Sequence, residues 1–363
     1  MKISVVTPRF AIAGVPLAQI RFARALARRG HEVTLIVGYV DPEYEFPPVP
    51  DIHVEIWNQP KVRRMLWPLA RHLRSERPDV VFSAEDHLNT IVLLAAILTR
   101  SRVKFSGSSR VTPFDTYSNT PFSKRWILKQ LARSVMWRAD AQTCVSKDMV
   151  EQYRQVFTHP KHVCVYNIVD DEASRQRMND EAGHPWLTGK LKPVLVAAGR
   201  LAPWKGFADL IQAIGLVDAN RRPRLLILGD GPLRGELQAQ IDSLGLREWI
   251  ELAGYLQNPL KIFARADVFV LSSLVEGMPN VLVEAMMCGC TPVSTDCPTG
   301  PRELLQGGKY GYLVPMHDPQ AMATAIEQAL AQPIAKELMA EAVRPFEESA
   351  VIDRHFKVLG LQG

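Results

Sequence analysis

The sequence predicts an α/β protein with two domains, each built on a doubly wound parallel sheet. Short apolar segments typical of buried strands alternate with segments of helical periodicity in both halves of the chain. This alternation favours parallel sheets that carry helices on both faces. The chain has 363 residues, and domains usually contain about 100–200 residues. We therefore expect two such domains that face each other across a cleft.

The first half opens with the segment ISVVTP, which predicts a buried strand. A helix follows, with Pro16 in its first turn and apolar residues at helical spacing, and Gly30 ends it. Further strands are predicted at EVTLIVG, DVVFSA, VKFSG and AQTCVS. The first half thus has the strand and helix alternation of one parallel sheet.

A charged connector without periodicity, at about residues 170–192, separates the two halves. The second half then repeats the alternation, with strands predicted at PVLVAAGR, RLLILGDG, WIELAGY, DVFVLSS, TPVSTD and YGYLVP. These patterns predict an N-terminal domain over residues 1–185 and a C-terminal domain over residues 186–345. Residues 346–363 are expected to form a helix that packs back on the N-terminal domain.

Composition and charge narrow the class of protein. The five cysteines lack paired CxxC or histidine spacings, so reduced thiols are expected rather than disulfides or a zinc site. The longest apolar run, residues 88–98, is shorter than the roughly 20 residues that span a bilayer. The amino terminus lacks the features of a signal peptide, so a cytoplasmic protein is expected. The net charge of +5 is compatible with a polyanionic ligand or an anionic membrane surface, and we expect no nucleic-acid partner.

Two glutamates follow the predicted strand DVFVLSS. Glu276 precedes a helix start, and Glu284 lies about one turn into that helix. The backbone N–H groups of Asn280, Val281 and Leu282 are expected to be unpaired at this helix start, where they suit a diphosphate or a sugar oxygen. Glu284 would accept hydrogen bonds from ribose hydroxyls, and Glu276 would face a sugar ring. Alternatively, Glu284 is a solvated helix residue and Glu276 supports the helix dipole; their pairing after a buried strand favours ligand binding.

Two cations follow the predicted strand PVLVAA. Arg200 and Lys205 lie around a proline turn in the loop GRLAPWKGF. Two cations directed at one ligand hold a diphosphate and neutralise the charge that grows on it as a glycosidic bond breaks. The alternative is a pair of surface cations that flank Trp204. The neighbouring ligand-binding loops favour the first interpretation.

A third loop, in LLILGDGPLRGEL, contains Gly229 and Gly231, which permit a sharp turn before a helix. The spacing GxGxxxG matches a dinucleotide-binding fingerprint only in part, although Glu251 stands about 20 residues further on, as that fingerprint requires. An NAD-dependent oxidoreductase therefore stays open as an alternative. Against it, the first strand-to-helix turn of the chain, TPRFAIAGVP, holds a single glycine, Gly14.

With these three loops in order, the second half closely resembles glycosyltransferase family 4, whose members are retaining enzymes of the GT-B fold with two Rossmann-like domains. The paired-glutamate motif of the family stands here as EGMPNVLVE, from Glu276 to Glu284. The phosphate-binding arginine and lysine of the family align with Arg200 and Lys205. The GDGP turn of the family is present at residues 229–232.

The resemblance extends beyond these loops. It implies that Tyr255 and Leu256, after the strand WIELAGY, contact the nucleobase. Segments CVSKDMVEQY and VYNIVD of the first half are similar to family segments. Family members often have two adjacent glycines after the first strand, whereas this chain has Gly14 alone for contact with donor or acceptor. A catalytic histidine often follows the strand read as VKFSG, but residues 106–110 read SGSSR, and the nearby His87 is a lone histidine of the kind that is more often structural.

The resemblance implies a retaining transfer of a hexose or N-acetylhexosamine from a nucleotide diphosphate sugar. Arg200, Lys205 and Glu276 would be the catalytic residues. The segment GPREL resembles family members that use UDP-sugars in surface polysaccharide assembly, so a UDP-sugar is the expected donor. No DxD motif ends a predicted strand and two cations are available, so we expect no metal and no cofactor besides the nucleotide-sugar substrate.

The expected acceptor is a saccharide or a lipid-linked saccharide. Residues 61–74 and 124–138 mix cations with tryptophan, leucine and methionine, a composition that suits contact with an anionic membrane. The alternative is two ordinary amphipathic helices with solvated cations. Three other functions stay open: a nucleotide-sugar epimerase of the same fold, the NAD-dependent oxidoreductase, and a binding subunit without catalysis.

Overall fold

A computed structural model describes residues 1–11, 14–158, 162–189 and 191–362. Its contacts divide the chain into two compact units. The first domain contains Met1–Ile168 together with Glu348–Gly363, and the second domain contains Val169–Glu347. The boundary therefore precedes residue 169, and the expected boundary after residue 185 is corrected.

The first domain contains a seven-stranded sheet in which every pairing is parallel. Its strands are β1 (Lys2–Thr7), β2 (Glu32–Val37), β3 (His53–Ile56), β4 (Val80–Ala84), β5 (Lys104–Ser109), β6 (Ala141–Cys144) and β7 (His162–Cys164). They lie in the order β3-β2-β1-β4-β5-β6-β7. The sheet confirms the five strands predicted in this half and adds the two edge strands β3 and β7. Each added strand has one side without a neighbouring strand, and β3 is only partly buried, so no apolar run marks it.

Helices cover both faces of this sheet. They are α1 (Gly14–Arg28), α2 (Leu66–Ser75), α3 (Asp86–Thr99), α4 (Pro113–Thr116), α5 (Lys124–Val135) and α6 (Lys147–Val156), with short 3₁₀ turns at Val62–Met65 and Met136–Arg138. The apolar side of α1 packs with β1 and β2 in one core, and α2 and α3 pack on the opposite face. Pro16 lies in the first turn of α1, and Gly30 follows its end with φ 81°.

The second domain contains a six-stranded parallel sheet. Its strands are β8 (Val194–Ala198), β9 (Arg224–Leu228), β10 (Ile250–Gly254), β11 (Val268–Leu271), β12 (Thr291–Thr295) and β13 (Tyr312–Val314). They lie in the order β10-β9-β8-β11-β12-β13. All six coincide with segments predicted from the sequence.

Along the chain, the first helices of the second domain precede β8, the first strand of its sheet, and the others follow it. They are α7 (Glu172–Met178), α8 (Pro185–Thr188), α9 (Phe207–Leu216), α10 (Arg234–Ser243), α11 (Leu260–Phe263), α12 (Asn280–Met287), α13 (Pro301–Leu304), α14 (Pro319–Ala331) and α15 (Lys336–Val343), with 3₁₀ turns at Pro203–Lys205, Gln306–Gly308 and Arg344–Phe346. Helix α7 explains the corrected boundary, because it packs on α11 and its carbonyl groups accept hydrogen bonds from Asn258 and Arg265.

The chain ends in α16 (Glu348–Val358), which is part of the first domain. Arg28 of α1 and Arg29, which directly follows it, form ion pairs with Glu348 and Asp353 of this helix. Phe356 is buried in the same core as α1. Among the described residues, no helix combines the length and the apolar character needed to cross a bilayer.

Candidate active site

Three of the loops singled out in the sequence leave adjacent strands of the second sheet. They follow β9, β8 and β11, which lie side by side in that order. All strands of the sheet are parallel, so the three loops share the carboxyl edge, where doubly wound sheets bind their ligands.

The loop between β8 and α9 is held against the end of β11. Ser272 Oγ donates to the Lys205 carbonyl oxygen at 2.8 Å, and the Leu274 N–H donates to the Trp204 carbonyl oxygen at 2.8 Å. Gly206 has φ 62°, and a Cβ there would lie 2.0 Å from the Ser272 carbonyl oxygen. Glycine is therefore required at this position for the loop that carries Lys205 to approach β11.

The central feature of the site is an ion pair between two of the predicted catalytic residues. Lys205 Nζ lies 2.5 Å from Glu276 Oε1, and their side chains are 17% and 13% exposed. Ser273 Oγ donates to the same carboxylate oxygen at 2.7 Å, and Thr299 Oγ1 donates to the Glu276 carbonyl oxygen. The pair thus places a cation and a carboxylate at the ends of β8 and β11. Arg200, in the same loop as Lys205, has an exposed side chain.

The sequence predicted that Lys205 binds a diphosphate and that Glu276 faces a sugar. It did not predict the ion pair between these two side chains. It also missed Ser273 and Thr299, which hold Glu276 in position. The only available signal for Ser273 was its place at the end of the apolar strand segment DVFVLSS.

Gly229 and Gly231 bring two loops into backbone contact. A Cβ at Gly229, which has φ 133°, would lie 2.0 Å from the Gly199 carbonyl oxygen, and one at Gly231 would lie 2.5 Å from the Leu201 carbonyl oxygen. The Leu201 N–H donates to the Asp230 carbonyl oxygen at 2.9 Å. These glycines therefore make room for the neighbouring loop that carries Arg200 and Lys205.

The start of α12 corrects one expectation. The N–H groups of Asn280 and Leu282 were expected to be unpaired, but they donate to the carbonyl oxygens of Met278 and Pro279, each at 2.9 Å. The tight turn before the helix provides these acceptors. Val281 lies between these two residues in the first turn of the helix.

Glu284 lies in the middle of α12 and is half-buried. Burial raises the pKa of the neighbouring Cys288 thiol to about 12, with a contribution from the charge of Glu284. Burial likewise raises the pKa of Cys297 to about 11, with a contribution from Glu276. The two glutamates of the motif therefore each lie near a thiol that stays protonated at neutral pH.

The remaining predicted residues lie at other strand ends. Tyr255 is exposed and Leu256 half-buried, directly after β10 at the edge of the second sheet. Gly14 is the first residue of α1 in the first domain, and no atom would contact a Cβ there within 4 Å. Residues 12 and 13 of its loop lie outside the described residues. His87 is exposed at the start of α3.

One buried carboxylate in the first domain was not predicted. Asp86, at the start of α3, accepts hydrogen bonds from Ser109 Oγ and Tyr153 Oη, each at 2.5 Å. Burial raises the pKa of Asp86, and these hydrogen bonds act in the opposite direction. The network fixes the end of β5. Within the described ranges, no group of three histidine, cysteine, aspartate or glutamate side chains is arranged to hold a metal ion.

Both domains match known family models. The model described as Glycosyltransferase Family 4 matches residues 14–173, and the model described as Glycosyl transferases group 1 matches residues 192–332. An uncharacterized glycosyltransferase of Methanocaldococcus jannaschii is 29% identical over 69% of this chain and 66% of its own length. The two matched segments together span most of both domains.

Two further relatives have more informative names. An N-acetylgalactosamine-N,N'-diacetylbacillosaminyl-diphospho-undecaprenol 4-alpha-N-acetylgalactosaminyltransferase of Campylobacter jejuni is 29% identical over 69% of this chain and 67% of its own length. The lipopolysaccharide core biosynthesis glycosyltransferase LpsE of Rhizobium meliloti is 32% identical over 46% of this chain and 49% of its own length. The matched regions thus span from about half to two thirds of these three curated relatives.

Solved structures show the same fold. HepE of Anabaena, in complex with UDP, has a TM-score of 0.78 at 19% identity and covers 99% of this chain and 100% of its own. The lipopolysaccharide outer core galactosyltransferase WaaB has a TM-score of 0.76 at 16% identity, with 99% of each chain covered. The two parallel-sheet domains are those of the GT-B fold, and with both domains matching family models the chain belongs to the glycosyltransferases of family 4.

Proposed function

We propose that the protein is a retaining glycosyltransferase that moves a hexose or N-acetylhexosamine from a UDP-sugar to a saccharide or lipid-linked saccharide acceptor in surface polysaccharide assembly. The observation that carries this proposal is the ion pair of Lys205 and Glu276, whose Nζ and Oε1 atoms lie 2.5 Å apart at the carboxyl edge of the second sheet, with Arg200 in the same loop as Lys205. It supplies a cation for a phosphate and a carboxylate for a sugar in one place.

In the proposed reaction, the bond between the anomeric carbon of the donor sugar and the β-phosphate oxygen breaks. The acceptor hydroxyl oxygen bonds to that carbon from the same face, and its proton passes to the departing phosphate. Arg200 and Lys205 stabilise the charge that develops on the diphosphate. Glu276 positions the sugar, and its carboxylate supports the positive charge that develops on the ring. The two cations take the role that a divalent metal has in other transferases.

The choice of UDP and of the acceptor class rests on the relatives. HepE is solved with UDP and with UDP-glucose, and the name of the Campylobacter relative specifies a diphospho-undecaprenol acceptor. Glu284 of α12 is the proposed partner of the ribose hydroxyls, and Tyr255 and Leu256 are proposed to contact the uracil.

The donor site is tested by calorimetric titration with UDP, GDP, ADP and NAD. We expect the wild type to bind UDP in preference to the other three. Glu284→Ala should weaken UDP binding roughly tenfold or more, because a hydrogen bond to a charged group contributes about 1.5–3 kcal/mol. The matched control is Glu337→Ala, an exposed glutamate of α15 in the same domain, which should leave the Kd for UDP unchanged.

The outcomes separate the alternatives. Binding of NAD alone would favour the oxidoreductase and contradict the donor site. Full turnover of a UDP-sugar to a second UDP-sugar without an acceptor would favour the epimerase, since a transferase hydrolyses its donor only slowly in that condition. UDP binding without transfer to any acceptor would favour a binding subunit.

We also propose that the first domain contacts an anionic membrane on the cytoplasmic side. Helix α3 packs against both α2 and α5, so the outer sides of these helices lie on one side of the domain. Trp67 of α2 and Trp137, in the 3₁₀ turn that follows α5, are each 71% exposed. Exposed cations accompany them, among them Arg63, Arg64, Arg71, Lys124 and Arg133. Exposed tryptophans with cations around them suit an interface rich in anionic lipid.

Vesicle sedimentation tests this surface. The wild type should bind vesicles that contain phosphatidylglycerol more tightly than vesicles of phosphatidylcholine alone, and added salt should weaken the binding. The double variant Trp67→Ser/Trp137→Ser should bind several-fold more weakly. Leu191→Ser, which removes an exposed apolar residue of the second domain, is the control and should bind as the wild type does. Equal binding to both kinds of vesicle would contradict the proposal.

A further inference from the structure

The first domain contains a cavity at the amino edge of its sheet. The cavity lies where α2 and α3 end and where β4 and β5 begin, and its volume is about 640 Å³. The Lys104 N–H donates to the Asp79 carbonyl oxygen at 2.9 Å, so the two loops that enter β4 and β5 lie side by side. Sites for small molecules usually have volumes of about 300–1,000 Å³. The cavity is therefore large enough for a small ligand.

Three arginines line this cavity and are called the cavity arginines below. They are Arg74 in the last turn of α2, Arg77 before β4 and Arg102 before β5. All three are exposed, so a ligand can reach them. None of them forms an ion pair or a side-chain hydrogen bond with any residue that the structure describes. The guanidinium group presents a planar fork of donors that matches the oxygens of a phosphate. Three such groups on one cavity indicate a phosphate as the ligand.

The acidic side chains next to the cavity have another partner. Asp79 also lines the cavity, and its Oδ2 accepts a hydrogen bond from the Lys2 N–H at 2.7 Å. Glu76 directly precedes Arg77 in the sequence, and its Oε2 lies 2.7 Å from Lys2 Nζ. Lys2 thus engages both carboxylates. The positive charge of the cavity arginines is therefore available to an anion.

The alternative role for the cavity arginines is to offset the dipoles of α2 and α3, whose carboxyl ends lie at the cavity. An arginine in that role can donate hydrogen bonds to the last carbonyl groups of a helix. Backbone contacts of this kind are made nearby by Arg138, in the 3₁₀ turn after α5, which donates to the Ser101 and Val103 carbonyl oxygens at 2.7 and 2.8 Å. The cavity arginines make none within the described part of the chain, so their donors stay available to a ligand.

Exposed apolar side chains lie beside the cavity. Leu98 precedes Thr99, which lines the cavity, and is 49% exposed. Trp137 precedes Arg138 and is 71% exposed. Basic pockets bind the head groups of anionic lipids, and apolar side chains beside such a pocket suit the rest of the lipid. A soluble phosphate ester would need only the arginines. The same phosphate chemistry therefore has two sources.

We propose that this cavity is a phosphate-binding site, in which Arg74, Arg77 and Arg102 donate hydrogen bonds to the phosphate group of a phosphate ester. The site goes beyond the proposed function, because no step of the proposed sugar transfer uses it. It lies in the first domain, whereas the groups proposed to bind the nucleotide belong to the second domain. The ester is a soluble molecule or the head group of an anionic phospholipid.

Calorimetric titration with sn-glycerol 3-phosphate tests the site, with saturating UDP present so that the proposed donor site does not contribute. The wild type should bind this probe at one saturable site. The double variant Arg74→Lys/Arg102→Lys keeps both charges but loses the planar fork of donors, so it should bind about tenfold or more weakly. Arg133→Lys, at an exposed arginine of α5 outside the cavity, is the matched control and should bind as the wild type does.

Sedimentation with vesicles that contain phosphatidylglycerol distinguishes the two sources. If the ligand is a lipid head group, Arg74→Lys/Arg102→Lys should weaken vesicle binding several-fold although the net charge is unchanged. If the double variant weakens the binding of glycerol phosphate alone, the ligand is a soluble ester. The proposal is overturned if the wild type binds neither probe, if the double variant binds both as the wild type does, or if Arg133→Lys weakens binding equally. Neither probe depends on sugar transfer, so this proposal and the proposed transferase fail separately.

The variant Arg77→Gly separates a role in binding from a role in folding. Arg77 has φ 47°, a conformation that glycine adopts without the strain of a side chain, so the variant should melt at or above the wild-type temperature. It also removes one phosphate donor, and its binding of the phosphate probe should be several-fold weaker. A variant that melts at a lower temperature and binds the probe as the wild type does would assign Arg77 to the fold and overturn its place in the site.

Discussion

Replacement of Lys205 by alanine is expected to lower kcat for sugar transfer by a factor of about 10²–10³. The lysine is the half-buried cation of the candidate site, with its Nζ 2.5 Å from Glu276 Oε1, and we assign it to the charge that develops on the departing diphosphate. Loss of one preorganised group that stabilises such charge usually costs this much. The measurement is initial-rate transfer from a UDP-sugar, performed in the presence of EDTA because the account assigns no role to a divalent metal.

The control for this variant is Lys192→Ala. Lys192 precedes β8, at the opposite edge of the same sheet, and its ammonium group lies over the Trp249 ring at 4.2 Å from the ring centroid. Its removal should leave kcat within about twofold of the wild type. A Lys205→Ala rate within threefold of the wild type would contradict the assigned role, and so would a wild-type rate that EDTA abolishes.

Replacement of Gly229 by alanine is expected to destabilise the second domain by about 3 kcal/mol or more. A Cβ there would lie 2.0 Å from the Gly199 carbonyl oxygen, and φ is 133°. Backbone on both sides of the contact would have to shift. A stability change of 1 kcal/mol moves the melting temperature of a domain of this size by about 2–4 °C, so thermal melting should show a fall of roughly 6–12 °C.

Gly235→Ala is the matched control for this glycine. Gly235 lies in α10, and no atom would contact a Cβ there within 4 Å. Gly235 is the second residue of α10, where the preference for alanine over glycine is smaller than in a helix interior, so this variant should melt at or slightly above the wild-type temperature. Equal melting of Gly229→Ala and Gly235→Ala would show that the loop contact does not constrain the domain.

The sequence predicted those strands in which every residue is buried. The segment that became β11 is apolar at every position and is buried along its whole length, so its pattern predicted a central strand. Strand β3 occupies a sheet edge and is only partly buried, so it leaves no such pattern. Helix α7 was not predicted, because its short charged sequence shows no apolar periodicity, although the helix contacts α11. The predicted domain boundary therefore lay too far toward the carboxyl end of the chain.

The candidate site was predictable as a set of residues but not as a set of contacts. Lys205 and Glu276 are 71 residues apart along the chain, and their ion pair depends on the adjacency of β8 and β11. The pairing of the Asn280 and Leu282 N–H groups depends on the turn before α12, which residue types alone do not specify. The buried network of Asp86 with Ser109 and Tyr153 likewise joins residues that only the folded sheet brings together.

The most direct test of the account is a crystal structure of the protein with UDP. The account predicts the diphosphate within hydrogen-bond distance of Arg200 and Lys205, and the ribose hydroxyls on the carboxylate of Glu284. Lys205 should then divide its contacts between Glu276 and a phosphate oxygen. UDP bound elsewhere on the second domain, or bound with neither cation near its phosphates, would contradict the central claim that the carboxyl edge of the second sheet is the donor site.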